Sequence, residues 1–208
     1  MTPRNPFLGR AIAHPILTVT IINGLVRGYF YRFYYKLTGR RFVAGRGLRV
    51  EGRLKIRGPG RVIFGERVHI GETTRLWTYA REAVIEIGER SYLNGTHVWC
   101  MKRVTIGAQA IVGRAEILDT DFHSTHVARH DTAAPVWTCP IVIAENVWIA
   151  ARAAVLPGVS IGPDAIVGYG AVCTGALQGG MIHAGNPARP VAPVPREPPA
   201  TPPSSLKH

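Results

Sequence analysis

The stretch that decides the fold runs from Ile141 to Val172, and from Ile143 it reads in sixes: Ile143-Ala-Glu-Asn-Val-Trp148, Ile149-Ala-Ala-Arg-Ala-Ala154, Val155-Leu-Pro-Gly-Val-Ser160, Ile161-Gly-Pro-Asp-Ala-Ile166 and Val167-Gly-Tyr-Gly-Ala-Val172. An aliphatic residue opens every hexad. The second place is small in four of the five (Ala144, Ala150, Gly162, Gly168), and the fifth is Val or Ala throughout. An α-helix cannot hold every sixth side chain on one face, and a flat strand does not explain small residues at fixed offsets. A chain that turns a corner every six residues explains both. Three such sides close a coil of about 18 residues, and coils stack into a solenoid.

Working backwards, hexads are readable from Phe64-Gly65 and Ile70-Gly71 to Leu76. They resume at Ile87-Gly88, Leu93-Asn94 and Trp99, and again at Ile106-Gly107, Val112-Gly113 and Leu118. The slips between these runs predict bulges or short loops at corners, and the whole predicts about six coils. Phe42 to Ile63 alternates apolar with basic residues (Leu48, Val50, Leu54, Ile56) and reads as strand that leads into the repeat.

Between Leu118 and Ile141 the pattern stops, at DTDFHSTHVARHDTAAPVWTCP, residues 119–140. A long unpatterned insert in a compact repeat is usually functional. It gathers Asp119, Asp121, His123, His126 and His130. These residues suit general-base chemistry, since an unperturbed imidazole titrates near neutrality at about 6.5. They also leave a metal-ligand reading open, although no tight pair resembles a zinc signature.

The flanks differ from the repeat. From Met1 to Arg61 there are thirteen Lys or Arg residues against a single acid, Glu51, within a chain of formal net charge +12. This asymmetry points to a polyanionic partner: an anionic membrane surface, a lipid-linked glycan or nucleic acid. No nucleic-acid-binding motif accompanies the charge, which ranks nucleic acid last. Residues from about Pro15 to Leu37 carry apolar residues at helical spacing (Ile22, Leu25, Val26, Tyr29, Phe30, Phe33, Leu37) interleaved with Arg27, Arg32 and Lys36. The apolar core is short of the ~20 residues of a transmembrane span. No Ala-x-Ala cleavage site of a signal peptide follows it. Two readings stand: a helix at a membrane–water interface, or a helix packed on the end or side of the solenoid or between subunits. Three cysteines, Cys100, Cys139 and Cys173, show no paired framework and suit buried thiols in a reducing cytosol. The expected organisation is a basic, aromatic extension over 1–41, a solenoid over 42–191 with its insert at 119–140, and a disordered Pro-rich tail over 192–208.

The stretch VWIAARAAVLPGVSIGPDAIVGYGAV followed by AGNPAR resembles the closing coils of hexapeptide-repeat acyltransferases, of the maltose, galactoside and polysaccharide O-acetyltransferase kind. The resemblance covers roughly residues 42–191. It implies an all-β, left-handed parallel β-helix, a homotrimer with active sites between neighbouring subunits, acetyl-CoA as co-substrate and no metal. It implies His123 of DTDFH as the general base, with His126 the alternative that the His-x-x-His spacing leaves open, and Asp121 or Asp119 orienting the imidazole or binding substrate. Tyr92 and Asn94 of SYLNGT would hold the acceptor sugar. Trp148 of VWIA would flank the acetyl-CoA arm, with the N–H of Ala150 or Ala151 as oxyanion donor. Further CoA contacts would come from Tyr169, Thr174 and Arg189. Where the family has a small residue this chain has Tyr169, and where it has Thr-Lys this chain has Thr174-Gly175, so Arg152 is an alternative phosphate contact. The expected activity is O-acetylation of a sugar hydroxyl in surface-polysaccharide or lipid-linked glycan assembly, in the cytoplasm or peripherally on the cytoplasmic face of the inner membrane. The alternatives are a small-molecule acetyltransferase acting on a drug or amino sugar, and a non-catalytic β-helix scaffold.

Overall fold

The computed structural model describes residues 15–197; Met1 to His14 and the last eleven residues of the Pro-rich tail lie outside the described residues. Helix α1 (Pro15–Leu37) is followed by twenty-one short strands wound into a parallel solenoid. The first face holds β1 (Arg41–Ala44), β4 (Arg61–Phe64), β7 (Val84–Ile87), β10 (Arg103–Ile106), β13 (Ile141–Ile143), β16 (Ser160–Ile161) and β19 (Ala176–Leu177). The second holds β2 (Arg49–Val50), β5 (His69–Ile70), β8 (Tyr92–Leu93), β11 (Ile111–Val112), β14 (Trp148–Ile149), β17 (Ile166–Val167), β20 (Met181–Ala184) and β21 (Arg189–Pro193). The third holds β3 (Leu54–Arg57), β6 (Thr74–Thr78), β9 (His97–Cys100), β12 (Glu116–Leu118), β15 (Ala154–Val155) and β18 (Val172–Cys173). The first face has seven strands, so the solenoid has seven turns, one more than the hexads predict. The extra turn is the basic lead-in, which forms a complete first turn (β1 to β3).

The hexad places have separate roles. The first and fifth point inward: Ile143, Val147, Ile149, Ala153, Val155, Val159, Ile161, Ala165, Val167 and Ala171 are all buried. The fourth place makes the corner. Arg67, Arg90, Gln109, Asn146, Arg152 and Asp164 all take positive φ, between 55° and 61°. L-residues rarely adopt that conformation. It is held by the stack: the Asn146 N–H donates to the Ala108 carbonyl of the turn below at 2.8 Å, and the Asp164 N–H to the Glu145 carbonyl at 3.2 Å. The second place is small because turns touch there. A Cβ on Gly107 would lie 2.5 Å from the carbonyl carbon of Ala144.

The slips have a structural cause. In the third and fourth turns the corner between the second and third faces is one residue shorter than in the fifth. Five residues separate Val112 from Ile117 and six separate Ile149 from Val155, although Ile117 pairs with Val155. A shift of one residue in a strand exchanges inside for outside. Val98 and Ile117 therefore point inward and are fully buried, while Trp99 and Leu118, read as hexad openers, face outward.

Both ends are closed. At the top, β21 pairs antiparallel with β20, so the Pro-rich segment expected to be loose from residue 192 begins as strand through Pro193. At the bottom, α1 crosses the first turn. Its buried stripe is Gly24, Gly28 and Tyr35, with Ile21, Arg27 and Tyr31 partly covered, a spacing of threes and fours. A Cβ on Gly28 would collide with the Leu48 carbonyl. The Tyr35 hydroxyl donates to the Leu54 carbonyl at 2.8 Å and accepts the Ile56 N–H at 3.0 Å. Arg27 donates to the carbonyls of Glu51 and Gly52. The helix thus packs on the solenoid through its small residues, and the apolar stripe read from the sequence faces outward. Among the described residues no helix is long and apolar enough to cross a membrane.

Candidate active site

The insert between β12 and β13 is pinned at its neck and open at its tip. Asp119 is fully buried. Its carboxylate accepts the N–H groups of Met101, Lys102 and Arg103 at 2.6, 2.7 and 2.7 Å, and the Cys100 thiol lies 3.4 Å from it. Burial and that carboxylate hold the Cys100 thiol well above the ordinary range. Asp119 is therefore committed to the turn after β9 and does not face the imidazole of His123. The neck is closed by the Asp121 N–H donating to the Trp137 carbonyl at 3.0 Å, the Cys139 N–H to the Asp119 carbonyl at 2.9 Å, and the hydroxyls of Thr120 and Thr138 2.9 Å apart.

Beyond the neck, Phe122 takes a φ of 62° and packs edge-on against Tyr79, ring centroids 4.9 Å apart. Backbone in this region for a bulky residue is costly and tends to mark functional segments. It sits immediately before His123. His123 and Asp121 line an open cleft of about 620 Å³ with Tyr79, Trp99, Glu116 and Leu118. The His123 imidazole is exposed and makes no hydrogen bond among the described residues, so both ring nitrogens are available. His126 is also exposed, with Nδ1 accepting the Ala128 N–H at 3.2 Å, which leaves it less free than His123. No group of three or more His, Cys, Asp or Glu residues is arranged to hold a metal among the described residues.

A second cleft, of about 510 Å³, lies on the second face. Tyr92, Asn94, Trp148, Ala150, Ala151 and Tyr169 line it, with Gly113 and Gly168 at its floor. Six of the ten residues chosen from sequence therefore meet in one place. They occupy outward or corner positions on the third, fifth and sixth turns, and Tyr92, Ile111, Trp148 and Ile166 are register partners down that face. The two oxyanion candidates separate here. The Ala150 N–H donates to the Val167 carbonyl at 2.9 Å and is spent on the ladder. The Ala151 N–H has no acceptor among the described residues and lies at the cleft wall. Asn94 lines the cleft while its Oδ1 accepts the Glu72 N–H at 2.9 Å, and its amide nitrogen has no hydrogen-bond partner among the described residues. Arg152 lies over the Tyr169 ring, 5.6 Å from its centroid, so the tyrosine carries a cation at the rim.

Thr174 and Arg189 are not in this cleft. Thr174 is exposed at the corner after β18, the same edge of the solenoid from which the His123 loop leaves two turns earlier. Arg189 is exposed at the start of β21, opposite Ala184. Within one chain His123 and Trp148 belong to different faces.

The hexad reading missed the outer surface of the third face. His97, register partner of Arg75 and Glu116, stacks on Trp99 with centroids 3.7 Å apart and meets Trp77 edge-on at 4.7 Å. Burial lowers the His97 pKa from 6.5 to about 4, with Arg75 adding to the effect. Trp99 also lines the His123 cleft. Alternation within HVWC, read with the shorter corner, is the signal that places His97 and Trp99 outside.

Residues 140–175 match the sequence family described as bacterial transferase hexapeptide (six repeats). Over 156 residues the chain is 28% identical to WcaF of Escherichia coli (strain K12), which carries the name of a colanic acid biosynthesis acetyltransferase, covering 75% of this chain and 70% of that one. It is 27% identical over 143 residues to WbbJ of the same strain, named as a lipopolysaccharide biosynthesis O-acetyl transferase, covering 64% and 72%. Among solved structures, the hexapeptide-repeat acetyltransferase VCA0836 of Vibrio cholerae O1 biovar eltor, complexed with acetyl-CoA, aligns with a TM-score of 0.55 at 16% identity over 85% of this chain and 86% of that one. The repeat and the fold are those of the hexapeptide acetyltransferases.

Proposed function

We propose that this hexapeptide-repeat chain is an acetyl-CoA-dependent O-acetyltransferase that modifies a sugar hydroxyl during surface-polysaccharide assembly. The observation that carries the reading is the second-face cleft, where Trp148, Tyr169, the free Ala151 N–H and the Asn94 amide line one cavity. Acyl transfer from a thioester needs a base, an oxyanion donor and a slot that presents the thioester carbon to the hydroxyl. His123 takes the hydroxyl proton as the oxygen attacks the acetyl carbon. The Ala151 N–H receives the developing oxyanion. Collapse expels the CoA thiolate, which recovers the proton from His123. Trp148 flanks the acetyl arm, and Arg189, Thr174 and Arg152 provide contacts for the CoA phosphates. Asn94, Tyr92 and Asp121 hold the acceptor.

His123 and Trp148 lie on different faces of one chain, which supports a site completed between subunits of a homotrimer, with His123 of one protomer acting on acetyl-CoA beside the Trp148 cleft of its neighbour. The outward apolar face of α1 supports peripheral attachment to the cytoplasmic face of a membrane, where polysaccharide acceptors are built.

The test is calorimetric titration of acetyl-CoA into wild type, Trp148→Ala and Arg189→Ala. Micromolar binding weakened by both changes supports the reading. Absence of binding by a well-folded protein rejects acetyl-CoA as the donor.

A further inference from the structure

The end of the solenoid beneath α1 carries a third cavity, of about 630 Å³, whose only charged lining residues are cationic. Arg40, Arg41, Lys55, Arg57 and Arg81 line it with Tyr34, and no carboxylate is among its lining residues. All five cations are exposed. Two are held in place by backbone carbonyls: Arg40 Nη1 donates to Gly58 at 2.7 Å and Arg41 Nη1 to Arg81 at 2.7 Å. Arg57 lies over the Trp77 ring, 5.4 Å from its centroid. Like charges gathered in a concavity repel one another unless an anion joins them. Fixed guanidinium groups fit phosphate oxygens well.

Two further observations say where that phosphate comes from. Tyr34 joins the cavity to the exposed side of α1, where Ile22, Leu25, Val26, Phe30 and Phe33 are each more than 40% exposed. A helix that is apolar outward, flanked by Arg and Lys and unable to span, suits burial in the plane of a bilayer surface. The cavity also lies on one edge of the solenoid with the His123 loop. Gly58 and Pro59 turn the first corner between the third and first faces, Arg81 lies in the second, and residues 119–140 leave the fourth. Trp77, Tyr79 and Trp99 fill the interval.

We propose that this cavity binds the phosphate of a phosphorylated lipid while α1 lies in the bilayer interface beside it, so that the acceptor sugar is presented to His123 on a membrane-held phosphate. Only the delivery to His123 rests on the acetyl-transfer reading; the phosphate site stands on the cations, the helix and the shared edge.

The experiment is co-sedimentation of the full chain with phosphatidylcholine vesicles, with and without about 20% phosphatidic acid, at low salt and with inorganic pyrophosphate as soluble competitor. Wild type should bind the anionic vesicles at least tenfold more tightly than neutral ones, and pyrophosphate should weaken that binding. The Lys55→Glu/Arg81→Glu double variant should lose the anionic preference while acetyl-CoA binding, measured in parallel, stays within twofold. The Phe30→Ser/Phe33→Ser variant should lose vesicle binding but still bind inorganic pyrophosphate as tightly as wild type, measured by calorimetry. Equal binding to both vesicle types, or an undiminished preference in Lys55→Glu/Arg81→Glu, overturns the proposal. Pyrophosphate binding without vesicle binding rejects the lipid as the source. Self-association through α1 that is abolished by Phe30→Ser/Phe33→Ser, with no vesicle binding, assigns the helix face to a second copy instead. Loss of acetyl-CoA binding in the wild type fails the transferase reading alone.

Discussion

The amide oxygen of Asn94 accepts the backbone N–H of Glu72 at 2.9 Å, tying the corner of the third turn to that of the second. The same residue lines the Trp148 cleft. Asn94→Ala should therefore lower stability by about 1 kcal/mol and also raise the acceptor KM. Asn94→Asp keeps an acceptor for Glu72 and removes the donor. It should melt near wild type yet bind acceptor poorly. Urea unfolding beside steady-state kinetics separates the two roles.

Asp119 and Asp121, two residues apart, should behave differently. Asp119→Ala leaves the three N–H groups of the turn after β9 without their shared acceptor, a loss on the order of 3 kcal/mol. Asp121→Asn touches no buried network and should leave the unfolding midpoint unchanged within about 0.5 kcal/mol while lowering kcat/KM. Thermal melts of both variants check this. A stable Asp119→Ala protein would contradict the assignment.

His123→Ala should reduce transfer by roughly 10²- to 10⁴-fold and leave acetyl-CoA affinity intact. Mixing His123→Ala with Trp148→Ala chains, then refolding together, should restore activity that neither has alone if each site draws one residue from each of two subunits. No recovery would place the base and the thioester slot within one chain.

His97 gives the fold a dependence on acidity. Its pKa is lowered from 6.5 to about 4 by burial, so the folded state excludes a proton that the unfolded chain accepts. Stability from this residue is present above pH 6.5 and is lost as pH falls through about 4. Its upper bound is about 3 kcal/mol at 1.36 kcal/mol per pKa unit, and residual exposure of the ring reduces it. His97→Phe should flatten the pH dependence of urea midpoints over this window. An unchanged slope would mean another group carries it.

Gly28→Ala would drive a methyl into the Leu48 carbonyl and should lift α1 from the first turn without unwinding the solenoid. Limited proteolysis should cut the helix away early, while the far-ultraviolet signature of the strands persists.

How much of this was legible beforehand depends on which interaction fixes each residue. The inward columns were, because burial of Ile143, Ile149, Val155, Ile161 and Val167 is written as a period of six. Tyr92, Asn94 and Trp148 were picked out by resemblance of SYLNGT and VWIA to a known family, and the repeat then brings Tyr92 and Trp148 onto one face two turns apart. The outward turn of Trp99 and Leu118 was hidden by one missing corner residue, which shifts the third-face strand of that turn by one place without changing composition. The spent Ala150 N–H and the buried Asp119 carboxylate were hidden for another reason. Backbone donors and turn geometry leave no trace in residue type: Asp119 and Asp121 look alike in DTD. The packing of α1 was half visible. Its apolar stripe could be read, but Gly24 and Gly28 show their purpose only when another backbone lies against them.

The solenoid also acts as a ruler. Neighbouring strands in a sheet stand about 4.8 Å apart, and two to three rungs separate the cationic cavity at Arg57 and Arg81 from the loop that carries His123. An acceptor anchored by its phosphate at the first must therefore bring a hydroxyl to the second about 10–14 Å away, well beyond the ring that bears the phosphate. The sugar selected would be counted along the chain as well as recognised by shape, and inserting or deleting one turn between the two points should move acetylation to a different residue of the same glycan.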